Sequence, residues 1–244
     1  MTAVFLVLSA FLASAVEMVE ALTIVLAVGV TRDWRSALTG VGTATVALAA
    51  IVAALGPALT LIPIDTLRLV VGALLLVFGL QWLRKAILRA SGYVSLHDEE
   101  AAFEREAAEA RAAGEERRAG LDWYAFTIAF KGVLLEGLEV AFIVLPFGSA
   151  QGSIPLAALG AGVAIVLVAV AGIVAHAPLA RVPENTLKFA VGTMLTTFGV
   201  FWAAEGAGAH WPGGDASLPA VLVFVALVSF GFVAALRRQR PALA

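Results

Sequence analysis

The chain has 244 residues, of which 61% are hydrophobic and 14% are charged, and its formal net charge is -2. A soluble domain of this length carries nearly twice that charged fraction and much less apolar content, so the composition predicts a membrane protein. The absence of cysteine excludes disulfides, thiolate metal sites and cysteine nucleophiles. The slightly acidic balance gives no indication of a nucleic-acid partner.

Apolar runs long enough to cross roughly 30 Å of hydrocarbon recur along the chain. In chain order they predict seven transmembrane helices, at 3–30, 36–61, 66–88, 122–147, 154–177, 185–206 and 217–236. Between the third and fourth lies the charged segment 97–118 (HDEEAAFEREAAEARAAGEERR), whose acid–base pairs at helical spacing predict a solvated helix. The expected fold class is therefore an all-α polytopic membrane protein.

The two halves of the chain repeat the same residues at a nearly constant spacing. Residues that recur 120 positions later include Pro63, Thr66, Gly72, Gly79 and Trp82, which match Pro183, Thr186, Gly192, Gly199 and Trp202. Because each half holds three spans, the second must enter the membrane from the opposite side, which predicts two inverted three-helix repeats. We assign 1–90 and 121–210 to the repeats, 91–120 to a cytoplasmic charged helical loop, and 211–244 to an additional helix with a basic tail.

Basic residues indicate the orientation. An outside N-terminus and an inside C-terminus place on the inner side almost all basic residues near the spans, among them Arg32, Arg35, Arg84, Lys85, Arg89, Arg181 and the tail 237–240. This asymmetry follows the positive-inside rule. Together with an Ala-, Val- and Gly-rich composition, it predicts the inner (plasma) membrane of a bacterium.

Four glutamates occupy matching places in the two repeats. Glu17 and Glu20 lie in the first span, and Glu136 and Glu139 lie in the fourth, each pair three residues apart on one helix face. Both pairs lie about 20 Å along their helices, at ~1.5 Å per residue, and hence near the bilayer centre. Four uncompensated charges there would cost on the order of 10–14 kcal/mol, so a cation, protons or both must compensate them. Lys131, five residues before Glu136, is expected to pair with a carboxylate or to extend toward the membrane surface, and it cannot compensate four acids alone.

Clustered carboxylates without thiolates favour hard or borderline cations such as Mg²⁺, Ca²⁺, Mn²⁺ and iron. We therefore expect Glu17, Glu20, Glu136 and Glu139 to bind a transported metal cation, with protons on the unoccupied carboxylates. An alternative interpretation makes the four glutamates protonated helix–helix contacts. No enzyme motif and no permanently bound cofactor are predicted, because the chain has no Ser-His-Asp set, phosphate loop or two-histidine zinc motif.

Several accessory residues carry weaker signals. Asp65 and Arg68 open the third span, where they are expected to cap the helix and pair locally, or to gate the pathway. The threonines of the sixth span are expected to bond to their own helix backbone or to act as ligands, and they are Thr193, Thr196 and Thr197. Trp82 and Trp202 are expected to be interfacial anchors, and the repeated glycines to allow close helix packing. Glu205, His210 and Asp215 are expected in a solvated outer loop or a metal-collecting vestibule.

The segment 135–144 (LEGLEVAFIV) resembles the Glu-Gly-Leu-Glu signature of the iron permease family, and 16–22 (VEMVEAL) is similar to that family's other copy. The resemblance implies seven spans and uptake of iron through the four glutamates. The family motif reads Arg-Glu-x-x-Glu, whereas this chain has Val16 and Leu135 at the arginine positions, as in a divergent member.

The expected function is a secondary transporter of a metal cation, Fe²⁺, Fe³⁺ or Mn²⁺, with lipid, protons and a second copy of the chain as further partners. Two alternatives stay open at this point. One is a proton-coupled carrier or exporter of an amino acid or another small solute. The other is a membrane subunit that transports nothing, in which Glu→Gln changes would be tolerated.

Overall fold

The structure is a computed structural model that describes residues 3–59, 61–114, 116–175 and 184–239. Its helices are α1 (Ala3–Thr31), α2 (Trp34–Leu59), α3 (Ile64–Ala90), α4 (Glu99–Ala112), α5 (Trp123–Ala150), α6 (Ile154–Ala175), α7 (Glu184–Gly206) and α8 (Leu218–Gln239). Strands β1 (Arg117–Arg118) and β2 (Leu121–Asp122) form a short antiparallel pair, and Gly214–Ser217 is a 3₁₀ turn. Arg181, Pro183 and the tail from 240 onward lie outside the described residues.

Six of the described helices, α1, α2, α3, α6, α7 and α8, are long and apolar enough to cross a membrane. Most of α2 is exposed although it is strongly apolar, and such a surface is typical of a helix that faces lipid. α5 is equally long but carries Lys131, Glu136 and Glu139, and it is not among the six. The predicted all-α polytopic membrane protein is confirmed.

Helices α3 and α7 cross in close antiparallel contact because glycines line both faces. A Cβ atom at Gly72 would collide with the backbone of Ala203, and one at Gly199 would collide with the backbone of Leu76. These positions therefore accept no larger residue without a shift of a whole helix. The predicted role of the repeated glycines in helix packing is confirmed.

The other helices pack around α1 and α5, which lie side by side. α6 runs parallel to α1, where Gly160 faces the carbonyl of Val7, and α2 runs parallel to α5, where Gly40 faces the carbonyl of Phe126. α1 and α5 run antiparallel to each other, since Gly132 meets Ile24 near one end. The core of the molecule therefore places the middles of α1 and α5 against each other.

The charged segment forms the predicted helix, α4, but one face of that helix is docked. Asp98 caps it by accepting from the backbone N–H groups of Glu100 and Ala101. Ala107 and Ala110, three residues apart, are buried, and Ala110 packs with residues at the ends of α1, α2 and α5. Most of α4 is exposed, in agreement with a solvated helix, but alanines at helical spacing give it a small apolar face that packs against the other helices.

An arginine fastens this docked helix to α1. Arg32 donates from Nε to Asp122 Oδ2 at 2.9 Å, and its other nitrogens donate to the carbonyls of Ala110, Ala113 and Gly114 at 2.8–3.2 Å. We call these five residues the Arg32 cluster. The cluster joins the end of α4 to the start of α5, so the loop between the two halves has a defined position.

Both tryptophans expected at the membrane interface are buried instead. Trp82 is 6% exposed and Trp202 is 2% exposed, and both belong to the main apolar core. Trp202 packs against Phe147 and Phe198 with ring centroids 5.5 and 5.2 Å apart. The prediction of interfacial anchors is wrong because both residues lie on the faces where α3 and α7 meet.

Candidate metal centre

The two glutamate pairs lie at the middles of two neighbouring helices. Glu17 is the midpoint of α1, and Glu136 is at the middle of α5. At ~1.5 Å per residue, each is about 20 Å from either end of its helix. Because α1 and α5 run antiparallel in contact, their middles coincide, and the carboxylates meet there.

Three carboxylates converge on one point. One oxygen each from Glu17, Glu20 and Glu136 lies within 4.8 Å of the other two. Glu17 is 1% exposed, it interacts directly with the side chain of Glu136, and its Oε1 atom is buried without a hydrogen-bond partner. We call Glu17, Glu20 and Glu136 the carboxylate centre. A buried acceptor without a partner is costly and is uncommon in structural networks.

Glu139 lies next to the carboxylate centre but is not part of the group of three. It follows Glu136 by one helical turn on α5 and lies close enough to Glu20 for the two charges to interact. The indole of Trp82 contacts the Glu139 side chain from α3. Of the four predicted ligands, the structure therefore brings three together and places the fourth beside them.

The counter-charge at this site is Lys188, from α7. Its Nζ atom donates to Glu20 Oε1 and lies 5.7 Å from the centroid of the Trp82 ring. The Lys188 and Glu20 side chains are 12% and 24% exposed, so water screens this pair only in part. Lys131, the residue predicted for this role, is exposed on α5 and forms no ion pair with the described carboxylates. Of the two alternatives for Lys131, pairing with a carboxylate is wrong because the residue lies on a different face of α5, and its exposure agrees with the other alternative.

Arg68 pairs across helices rather than with Asp65. Its Nη1 atom lies 3.6 Å from Glu205 Oε2 on α7, and its Nε atom is buried without a hydrogen-bond partner. Pro63 occupies the N-cap of α3 and Asp65 lies in the first turn, so no side chain caps the helix. The predicted local cap and pair are wrong. Glu205 belongs to α7 and not to a solvated loop, whereas His210 and Asp215 are exposed as expected.

The α7 threonines divide into two kinds. Thr193 and Thr197 donate to the carbonyls of Phe189 and Thr193 one turn earlier, which is the expected backbone bonding. The Thr196 hydroxyl is buried without a partner. The Ser14 hydroxyl on α1 is also buried without a partner, three residues before Glu17 and hence on the same helix face. Among the described residues, Thr196 and Ser14 thus join Glu17 and Arg68 as buried polar groups without a hydrogen-bond partner.

The carboxylate centre has the chemistry of a site for a hard cation. Its donors are carboxylate oxygens from two helices, and each carboxylate can bind through one or both oxygens. The Glu20 carboxylate can also bind an ammonium group, since Lys188 already contacts it. Val16 is fully buried and Leu135 is exposed, so the two positions of the missing motif arginines lie in unlike surroundings.

Sequence reasoning missed Lys188 and Trp82 as parts of the site. A signal for Lys188 exists, because it is the residue that matches Arg68 in the second repeat and is one of few basic residues inside a span. Trp82 carries no comparable signal, since an apolar helix offers many positions to a tryptophan. No protein-family model, no curated protein and no solved structure matches this chain.

Proposed function

We propose that the chain has seven transmembrane helices arranged as two inverted three-helix repeats, with α8 as an addition and the N-terminus outside. α2 and α6 begin at Trp34 and Ile154, 120 residues apart, and Gly72 and Gly192, also 120 residues apart, both lie in the contact between α3 and α7. These equal offsets support a common repeat unit.

Reciprocal helix contacts support the same arrangement. Gly40 faces Phe126, and Gly160, which matches Gly40 at an offset of 120, faces Val7. Val7 in turn matches Phe126 at an offset of 119, which is also the offset between Glu17 and Glu136. A two-fold axis between the halves would exchange the two contacts. On this arrangement α5 is the fourth span, and its charged residues Glu136 and Glu139 face the protein interior, where polar groups in membranes normally lie.

We further propose that the protein is a secondary transporter of a metal cation in a bacterial inner membrane, coupled to protons. The observation that carries this proposal is the convergence of Glu17, Glu20 and Glu136 within 4.8 Å at the middles of two helices. Substrate sites of inverted-repeat transporters lie at this depth and on the interface between the repeats. Binding of a cation there would compensate charges that α1 and α5 otherwise bury at high cost.

Iron and Mn²⁺ are the first substrates to test. Oxygen ligands suit both ions, and the resemblance of 135–144 and 16–22 to iron permeases supports iron. The chain would then be a divergent member that handles its substrate without the motif arginines at 16 and 135.

The second candidate is a proton-coupled carrier of an amino acid or another small solute. The observation in its favour is that Glu20 already holds the ammonium group of Lys188. A substrate ammonium would fit the same carboxylate. This candidate predicts transport that is independent of any metal.

Flux into proteoliposomes separates the two. The purified chain is reconstituted and supplied with Fe²⁺, Fe³⁺, Mn²⁺, Co²⁺, Zn²⁺ or Mg²⁺ under a pH gradient of either sign. Glu17→Gln and Glu136→Gln are compared with Glu109→Gln, which changes an exposed acid on α4. Saturable flux of one metal that only the first two variants lose supports the metal transporter. Absence of flux for every metal overturns it in favour of the solute carrier.

A further inference from the structure

A lysine from a third helix occupies the carboxylate centre. The ammonium of Lys188 reaches from α7 to Glu20, which is one of the three converging ligands. A metal ion bound by all three carboxylates would share the Glu20 carboxylate with the Lys188 ammonium. The metal and the ammonium therefore compete for the same carboxylate.

We propose that Lys188 is a built-in counter-ion that the substrate must displace from Glu20, and that it thereby selects divalent or trivalent cations over monovalent ones. Trp82 holds the displaced ammonium. This inference rests on the proposed metal transport and names the residue that sets its selectivity.

The selectivity follows from charge and tethering. Lys188 is attached to the same protein, so its effective concentration at Glu20 exceeds that of any free monovalent ion. Na⁺ or K⁺ carries the same single charge as the ammonium, so its exchange for the ammonium gains little electrostatic free energy. An ion with two or three charges gains much more from the carboxylate centre than the single ammonium does.

Trp82 provides the alternative position for the ammonium. The ring centroid lies 5.7 Å from Lys188 Nζ, which is within the distance for a cation–π contact. The lysine side chain is long and flexible, so its ammonium can leave Glu20 while it stays over the ring. Trp82 also contacts Glu139, so the displaced ammonium remains next to a carboxylate. Displacement therefore does not leave the ammonium unpaired in an apolar core.

The test is the dissociation constant of Mn²⁺, measured by calorimetry on the full chain at one fixed pH, in either choline chloride or NaCl of equal concentration. Lys188→Met removes the competitor, and Lys131→Met is the matched control because it removes an exposed lysine that does not contact the centre. If the Lys188–Glu20 pair is formed in about nine molecules of ten, its removal raises the apparent Mn²⁺ affinity about tenfold in choline. In NaCl, Lys188→Met loses this gain in Mn²⁺ affinity because Na⁺ can take the place of the ammonium. The wild type and Lys131→Met are each expected to bind Mn²⁺ with the same affinity in NaCl as in choline chloride.

Trp82 is tested with Trp82→Leu against Trp82→Phe. The leucine variant lacks a ring for the displaced ammonium and is expected to bind Mn²⁺ more weakly, whereas the phenylalanine variant stays close to the wild type. Both variants retain Lys188, so the inference stays open to test if Lys188→Met fails to fold. Equal affinity of the two Trp82 variants would overturn this part of the inference.

The outcomes separate this inference from the function on which it rests. Suppose that the wild type binds Mn²⁺, that Lys188→Met binds Mn²⁺ no more tightly, and that Na⁺ does not change the affinity of the variant. The counter-ion inference is then overturned, whereas metal binding stands. If neither protein binds Mn²⁺ or Fe²⁺, both the metal proposal and this inference are overturned. Binding by Lys188→Met alone would support strong competition by the lysine.

Discussion

The Arg32 cluster and the carboxylate centre are both charged, largely buried and formed between helices, yet their bonding is opposite. In the cluster, one guanidinium meets one carboxylate and three carbonyls, so opposite charges and donors are matched. In the centre, three carboxylates meet one ammonium, and a buried oxygen of Glu17 has no partner. Of the two regions, only the Arg32 cluster has the matched charges and hydrogen bonds of a contact that holds helices together.

This difference indicates what each region is for. A polar network that only holds helices together is stable when every donor and acceptor is satisfied. A group of like charges with an empty acceptor is unfavourable until a cation or protons join it. The comparison predicts that changes in the cluster lower stability without altering transport, and that changes in the centre alter transport without lowering stability.

The largest expected effect is that of Glu17→Gln and Glu136→Gln on transport. We expect metal flux to fall by more than about 100-fold, since loss of even an outer-shell partner costs about 10–100-fold in affinity. The melting temperature of the metal-free protein should stay equal or rise, because each change removes one of three converging acidic groups. Flux and thermal unfolding are measured on the same preparations. A large loss of stability in both variants would make the glutamates structural instead.

The next largest effect is that of Arg32→Ala on stability. Its removal leaves Asp122 and three carbonyls without their partner, and breaking a buried pair costs about 3–5 kcal/mol. Thermal unfolding in detergent measures this loss, and Arg32→Lys should restore part of it because a lysine keeps the charge without the fork of donors. Mn²⁺ affinity of the folded fraction should not change. A shift in that affinity would link the cluster to the site and contradict the division between the two regions.

The smallest expected effect separates two neighbouring threonines on α7. Thr197→Val removes a hydrogen bond to the carbonyl of Thr193 and should destabilise by about 0.5–1.5 kcal/mol. Thr196→Val removes a buried hydroxyl without a partner, so stability should stay equal or rise. Both variants have nearly the size of the wild type, and denaturant or thermal unfolding compares them. The reverse order of the two effects would show that Thr196 is bonded in the protein and Thr197 is not.

Many of the helices could be predicted from the sequence because the length of an apolar run is read from neighbouring residues alone. The predicted second span at 36–61 is the helix Trp34–Leu59, and the other predicted spans match long helices equally well. The convergence of Glu17 and Glu136 could also be anticipated, since both Glu-x-x-Glu motifs stand near the middles of their predicted helices. These features depend on spacing along the chain.

Features that depend on helix rotation could not be predicted. Whether Lys131 or Lys188 reaches the carboxylates is decided by which face α5 and α7 turn toward α1, and an apolar helix gives little signal of its facing side. The same lack of signal explains why the sequence predicts Trp82 at the membrane interface although the residue is buried. The docking of α4 depends on Ala107 and Ala110, two small residues in a segment dominated by charge. The burial of such small residues can be interpreted only once the neighbouring helix is known.

The most direct test of the carboxylate centre is the position of a bound Mn²⁺ ion, determined by anomalous diffraction from crystals of the full chain grown in lipid. We predict one strong peak between Glu17, Glu20 and Glu136, which is lost in crystals of Glu17→Gln. The contrary result would be a peak only at exposed acids such as Asp215, in a protein that still transports Mn²⁺. The carboxylate centre would then not be the substrate site.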